Sequence, residues 1–100
     1  MPATDRGTSR LLRHLRERRV RRAFSAPVRR RLWRKLAVQV HNALPVYTAF
    51  EQYRRQAVRD RSPLRHLYDR VLRCRDGGLP LATAFRGFAS SEEIMLLEAG

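Results

Sequence analysis

Three histidines and one cysteine are the side chains of this 100-residue chain with the widest chemical range. His14, His41 and His66 have the ring nitrogens to bind a metal or move a proton. They are scattered along the sequence, however, and no His pair at i,i+4 with a nearby carboxylate or Cys gives the local spacing of a zinc site. Cys74 stands between Arg73 and Arg75, whose charges would favour a thiolate. Helix neighbours point to different faces, so the expectation is an ordinary buried or half-buried cysteine. A lone cysteine makes neither an internal disulfide nor a zinc knuckle, which suits a reducing, cytosolic compartment. Gly77-Gly78 lacks the Lys and Ser/Thr of a phosphate loop and follows no strand, so it reads as a helix stop. The chain is therefore expected to be no enzyme, with no catalytic residues, no cofactor and no metal.

Binding is the alternative to catalysis, and here the charge is informative. The net charge is +13, and residues 1–35 hold 13 Arg or Lys against Asp5 and Glu17. The last 24 residues hold Arg86 against Glu92, Glu93 and Glu98. A charge confined to one end points to an anionic partner: lipid headgroups, nucleic acid or an acidic protein face. The candidate contact residues are Arg13, Arg16, Arg19, Arg22, Arg30 and Arg31. A nucleic-acid-binding helical module is one reading, because arginine-rich helices bind phosphate backbones without sequence preference. It is the weaker one: most of Trp33, Tyr47, Tyr53 and Tyr68 sit on apolar stripes, and Glu51, Asp60, Asp69 and Asp76 interrupt the later basic surface.

The elements that position these residues are all helical. No segment alternates with period two, and the fold class expected is all-α, a small antiparallel bundle of five to six helices. Residues 1–9 show no periodicity and read as disordered, lacking also the apolar stretch of a secretory signal. Leu11, Leu12, Leu15 and Val20 suggest one stripe on an arginine-rich first helix ending at Ser25-Ala26-Pro27. Leu32, Trp33, Leu36, Ala37, Val40 and Leu44 mark a second helix, with Asn42 the candidate for a left-handed end. Val46, Ala49, Phe50, Tyr53 and Ala57 mark a third. Ser62-Pro63 starts a fourth with Leu64, Leu67, Tyr68, Val71 and Leu72. A short fifth helix after Pro80 offers Leu81, Ala84, Phe85 and Phe88, and Ser90 with Glu93 forms a capping box for a sixth. Residues 1–26 thus read as a basic tail and helix, and 27–100 as the bundle.

The organisation is repetitive. Leu44-Pro45-Val46-Tyr47-Thr48-Ala49-Phe50 returns 35 residues later as Leu79-Pro80-Leu81-Ala82-Thr83-Ala84-Phe85, identical at five of seven positions. Upstream, Leu32-Trp33 align with Leu67-Tyr68 and Leu36 with Val71. The unit is helix, Pro-containing turn, helix, and each copy needs the other to bury its apolar face. Leu36, Phe50, Leu67, Val71, Phe85 and Phe88 should share one core. The last helix carries Ile94, Met95, Leu96 and Leu97 over a wide arc, which suggests a homodimer interface.

Leu32-Trp33-Arg34-Lys35-Leu36-Ala37, then Asn42 to Phe50, then Gly78-Leu79-Pro80-Leu81-Ala82-Thr83-Ala84-Phe85, then Ile94-Met95-Leu96-Leu97-Glu98-Ala99-Gly100, together resemble the cytoplasmic domain of the type II secretion F family. These are inner-membrane platform proteins of type IV pilus and type II secretion machines. Asn42 stands where that family usually has its first glycine. The resemblance spans roughly 29–100 and implies a helical scaffold at the cytoplasmic face of the bacterial inner membrane. It implies as partners the assembly ATPase and other inner-membrane machinery proteins, and a natural chain continuing past Gly100 into a membrane span. The basic head then meets an anionic membrane surface, where each Lys or Arg contributes about 1 kcal/mol.

Overall fold

The computed structural model describes residues 2–99, with side chains from residue 9 onward. It is all-α, with no strand among the described residues: α1 (Pro2–Ala23), α2 (Ala26–His41), α3 (Val46–Arg59), α4 (Leu64–Asp76), α5 (Leu81–Phe85) and α6 (Ser91–Ala99). Helix begins at Pro2, so the disorder expected for the first nine residues is corrected for residues 2–9; Met1 lies outside the described residues. Proline is tolerated there because the first helical turn has no partner for its N–H groups.

The turns explain the repeat. After α2, Asn42 N–H donates to Val38, Ala43 to Val40 and Leu44 to Gln39; after α4, Gly77 N–H donates to Arg73, Gly78 to Arg75 and Leu79 to Cys74. The two patterns are related by a shift of 35 residues, and each is a helix-ending loop whose penultimate residue turns left-handed. That residue is Gly78 (φ 72°) in one copy and Ala43 (φ 65°) in the other. Asn42 holds φ −86°, so the expectation that it supplies the left-handed position is corrected to Ala43. The Leu-Pro pair following each turn starts the next helix.

The core forms where the copies meet. Ala49, Phe50, Val71, Ala84 and Phe85 are fully buried, with Leu32, Leu36, Tyr53, Ala57, Leu67, Tyr68 and Cys74 around them. Phe50 and Phe85, equivalent by the repeat, lie 6.0 Å apart between ring centroids. Phe88 is only half-buried, and Ala37 and Val40 are exposed; both expectations of burial are corrected. α2 meets the core through Leu32 and Leu36, with Val28 and Trp33 packed against it, which turns the Ala37–Val40 side to solvent. The short 60–63 link brings α4 back against α3, the most extensive helix pair. Ser62 Oγ accepts from Leu64 N–H at 3.2 Å, as its place before Pro63 suggests.

α1 departs most from expectation. Val20 and Phe24 are buried in the same core as the repeat, so α1 is built into the bundle at its carboxyl end and the core runs across the expected division at residue 26. Arg29 Nη1 donates to the Phe24 carbonyl (2.9 Å) and Arg21 Nε to the Gly87 carbonyl (3.2 Å), which fastens that end. Leu11, Leu12 and Leu15 are exposed. At 3.6 residues per turn Val20 falls about 180° round the helix from Leu11 and about 140° from Leu15, so the four do not form one stripe. A 22-residue helix spans about 33 Å. Anchored only at one end, it stretches the molecule to 50 × 28 × 26 Å, with a radius of gyration of 14.6 Å against about 13 Å for a compact chain of this length.

Candidate functional site

α1 has two working faces. The outer one carries Leu11, Leu12 and Leu15, and each has an arginine seven residues on: Arg18, Arg19 and Arg22. Seven residues is two helical turns, so apolar and cationic groups succeed each other along one exposed side. Its leucines are 59%, 55% and 45% exposed, too wet for residues that a bundle is meant to bury.

The inner face meets α4. Arg13, Arg16, Glu17 and Val20 follow i, i+3, i+4, i+7 spacing, and so do His66, Asp69, Arg70 and Arg73; each set occupies one side of its helix. Together with Leu67 and Phe88 they line a cleft of about 450 Å³. Its floor is apolar (Val20, Leu67, Phe88) and its walls carry four guanidinium groups. The two carboxylates are already engaged: Asp69 with Arg54, and Glu17 with Arg21 at 3.9 Å. Among the described residues none of Arg13, Arg16, Arg70 and Arg73 has an ion-pair partner. Arg70 and Arg21 each lie over the Phe88 ring, 5.5 and 5.6 Å from its centroid, which fixes both side chains by cation–π attraction. His66 is held below its ordinary pKa by burial first, then by Arg16, Arg65 and Arg73 against the opposing pull of Asp69.

A second polar cluster joins α2 to α6. The capping box is present: Ser90 N–H donates to Glu93 Oε1 (2.9 Å) and Glu93 N–H to Ser90 Oγ (3.2 Å). The same carboxylate accepts from the Trp33 indole and from Arg29 Nε (3.0 and 3.2 Å). Burial would raise the Glu93 carboxyl, but these donors outweigh it and hold it at about 2. The cluster ties the last helix to the second and is structural in character.

The six arginines expected to act together are distributed over three places. Arg13 and Arg16 enter the cleft, Arg19 and Arg22 lie on the outer face of α1, and Arg30 and Arg31 are exposed on α2, with Arg31 beside a shallow groove floored by Tyr53 and Tyr68. Of the expected dimer residues, Ile94 and Leu97 pack on the chain's own core, while Met95 and Leu96 are 66% and 74% exposed. Reading along the sequence missed Arg70 and Arg73, and weighed His66 only as a metal ligand or proton carrier. The signal was present in the matched spacing of two segments 53 residues apart, but only the packing of α1 on α4 makes that match meaningful. Cys74 is buried, and among the described residues no three His, Cys, Asp or Glu side chains come close enough to share a metal ion. No described helix is long and apolar enough to cross a membrane.

Comparison of the chain with protein-family models, with curated proteins and with solved structures found no match.

Proposed function

We propose that the chain is a non-enzymatic scaffold domain of an inner-membrane platform protein, holding an assembly ATPase in register with a type IV pilus or type II secretion machine. In this reading α1 lies on the anionic cytoplasmic face of the membrane and the bundle meets the ATPase. The observation that carries it is the outer face of α1, where exposed leucines alternate with arginines on a helix joined to the core at its carboxyl end, through Val20 and the following Phe24. Such a helix suits a lipid interface, where apolar side chains enter the acyl boundary and cations meet headgroups. The leucines favour lipid over nucleic acid, which would use the charge and leave them wet. The machine itself is supplied by the motif resemblance alone.

The test is charge reversal of Arg18, Arg19 and Arg22 to Glu, all exposed on the outer face. The helical signal should persist, while flotation with phosphatidylglycerol vesicles and capture of the ATPase should be lost. Unchanged flotation and capture would mean a merely solvated face. The platform assignment is checked separately in the natural gene, where codons past Gly100 should encode long apolar spans; a natural chain ending near residue 100 would remove it.

A further inference from the structure

We infer that the cleft between α1 and α4 is a binding site for a dianionic phosphate monoester. The inference stands on the cleft alone and does not depend on the platform reading. Four arginines from two helices converge there over an apolar floor, and because Glu17 and Asp69 are paired with Arg21 and Arg54 they leave most of that charge uncancelled. A phosphate monoester, with a charge of about −1.5 to −2 near neutrality, answers more of that excess than a phosphodiester with its single negative charge. The volume of about 450 Å³ falls within the range of small-ligand sites, large enough for the phosphate and a small attached group. Guanidinium forks suit phosphate oxygens, and Phe88 already positions one of them at Arg70. Like charges packed in this way repel when the cleft is empty, so an anion that relieves the repulsion gains twice.

The phosphate could belong to a soluble monoester or to a lipid headgroup, and the test separates these sources. His66 lines the cleft, with Arg13, Arg16 and Glu17 facing it from α1 and Arg65, Asp69, Arg70 and Arg73 on its own helix. A nearby dianion favours the imidazolium, so its pKa must rise on binding. Glycerol 3-phosphate titrated into the intact chain, followed by the His66 imidazole resonances, should give a saturable shift and a raised His66 pKa. Arg73→Gln and Arg16→Gln should each weaken binding about tenfold, the loss of one charge-assisted hydrogen bond, with an unchanged circular dichroism spectrum. Arg22→Gln, on the outer face 180° round the helix from Arg13, should leave it within about twofold. Vesicles of phosphatidylcholine with phosphatidic acid then identify the source: preference over phosphatidylglycerol that is lost with Arg73→Gln assigns a lipid headgroup, and no preference assigns a soluble monoester. The inference is overturned if His66 is indifferent to glycerol 3-phosphate, or if Arg22→Gln weakens binding as much as Arg73→Gln. The second outcome would mean a diffuse basic field, and would leave docking by the outer face of α1 intact.

Discussion

Ala43 holds the left-handed conformation in one copy of the repeat where Gly78 holds it in the other. A residue with a Cβ pays roughly 1–2 kcal/mol there, so Ala43→Gly should stabilise the chain by about 0.5–1 kcal/mol once the added freedom of the unfolded glycine is subtracted. The reciprocal change, Gly78→Ala, meets no atom within 4 Å of the new Cβ and should cost about 1 kcal/mol through the backbone alone. Urea denaturation of both variants checks the pair, and equal effects in the same direction would refute it. Glu93 gives a pH prediction. Its folded pKa of about 2 lies below its ordinary 4.5, so its contribution to stability is complete above about 4.5 and disappears as pH falls toward 2. Glu93→Gln should lower stability at neutral pH by about 2 kcal/mol, the scale of a charged hydrogen bond, and flatten the acid limb of the stability curve. A parallel acid limb in the variant would assign that sensitivity elsewhere.

At the scale of elements, α1 is a lever fixed at one end. Phe24 is 1% exposed and stacks with Phe85 at 5.9 Å, so Phe24→Ala should cost about 3–5 kcal/mol and release α1 from the bundle. Phe85→Ala should cost a similar amount by emptying the junction of the two copies. Thermal melts unchanged by either would sink the assignment of the core. α3 and α4 were legible because each carries a regular apolar stripe, and the other helices after residue 26 through the Pro, Gly or capping Ser that bounds them. The first was misread for a physical reason. Leu11, Leu12 and Leu15 look like core residues in any periodicity argument, yet the side chains the bundle buries at this end are Val20 and, just past the helix, Phe24. The cleft was illegible for a related reason. Spacing places Arg13 and Arg16 on one side of α1, and Arg70 and Arg73 on one side of α4, but nothing in either segment says that the two sides face each other.

For the whole molecule, exposed apolar side chains gather on the outer face of α1, at Val38 and Val40 on α2, and at Met95 with Leu96 on α6. With Ile94 and Leu97 committed to the core, a homodimer through α6 would rest on Met95 and Leu96, and Leu96→Glu should weaken it; sedimentation equilibrium showing only an 11.7 kDa species at high micromolar concentration would refute it. The central claim is that α1 docks on an anionic surface while its end stays rooted in the core. From residue 9 to residue 16 α1 buries no side chain, so its backbone should open and exchange readily in the free chain. Hydrogen–deuterium exchange with and without phosphatidylglycerol vesicles tests this most directly. The account predicts slowed exchange concentrated over residues 10–19, with α3 and α4 unchanged; exchange of α1 unaffected by the vesicles, with protection appearing only elsewhere, would contradict it.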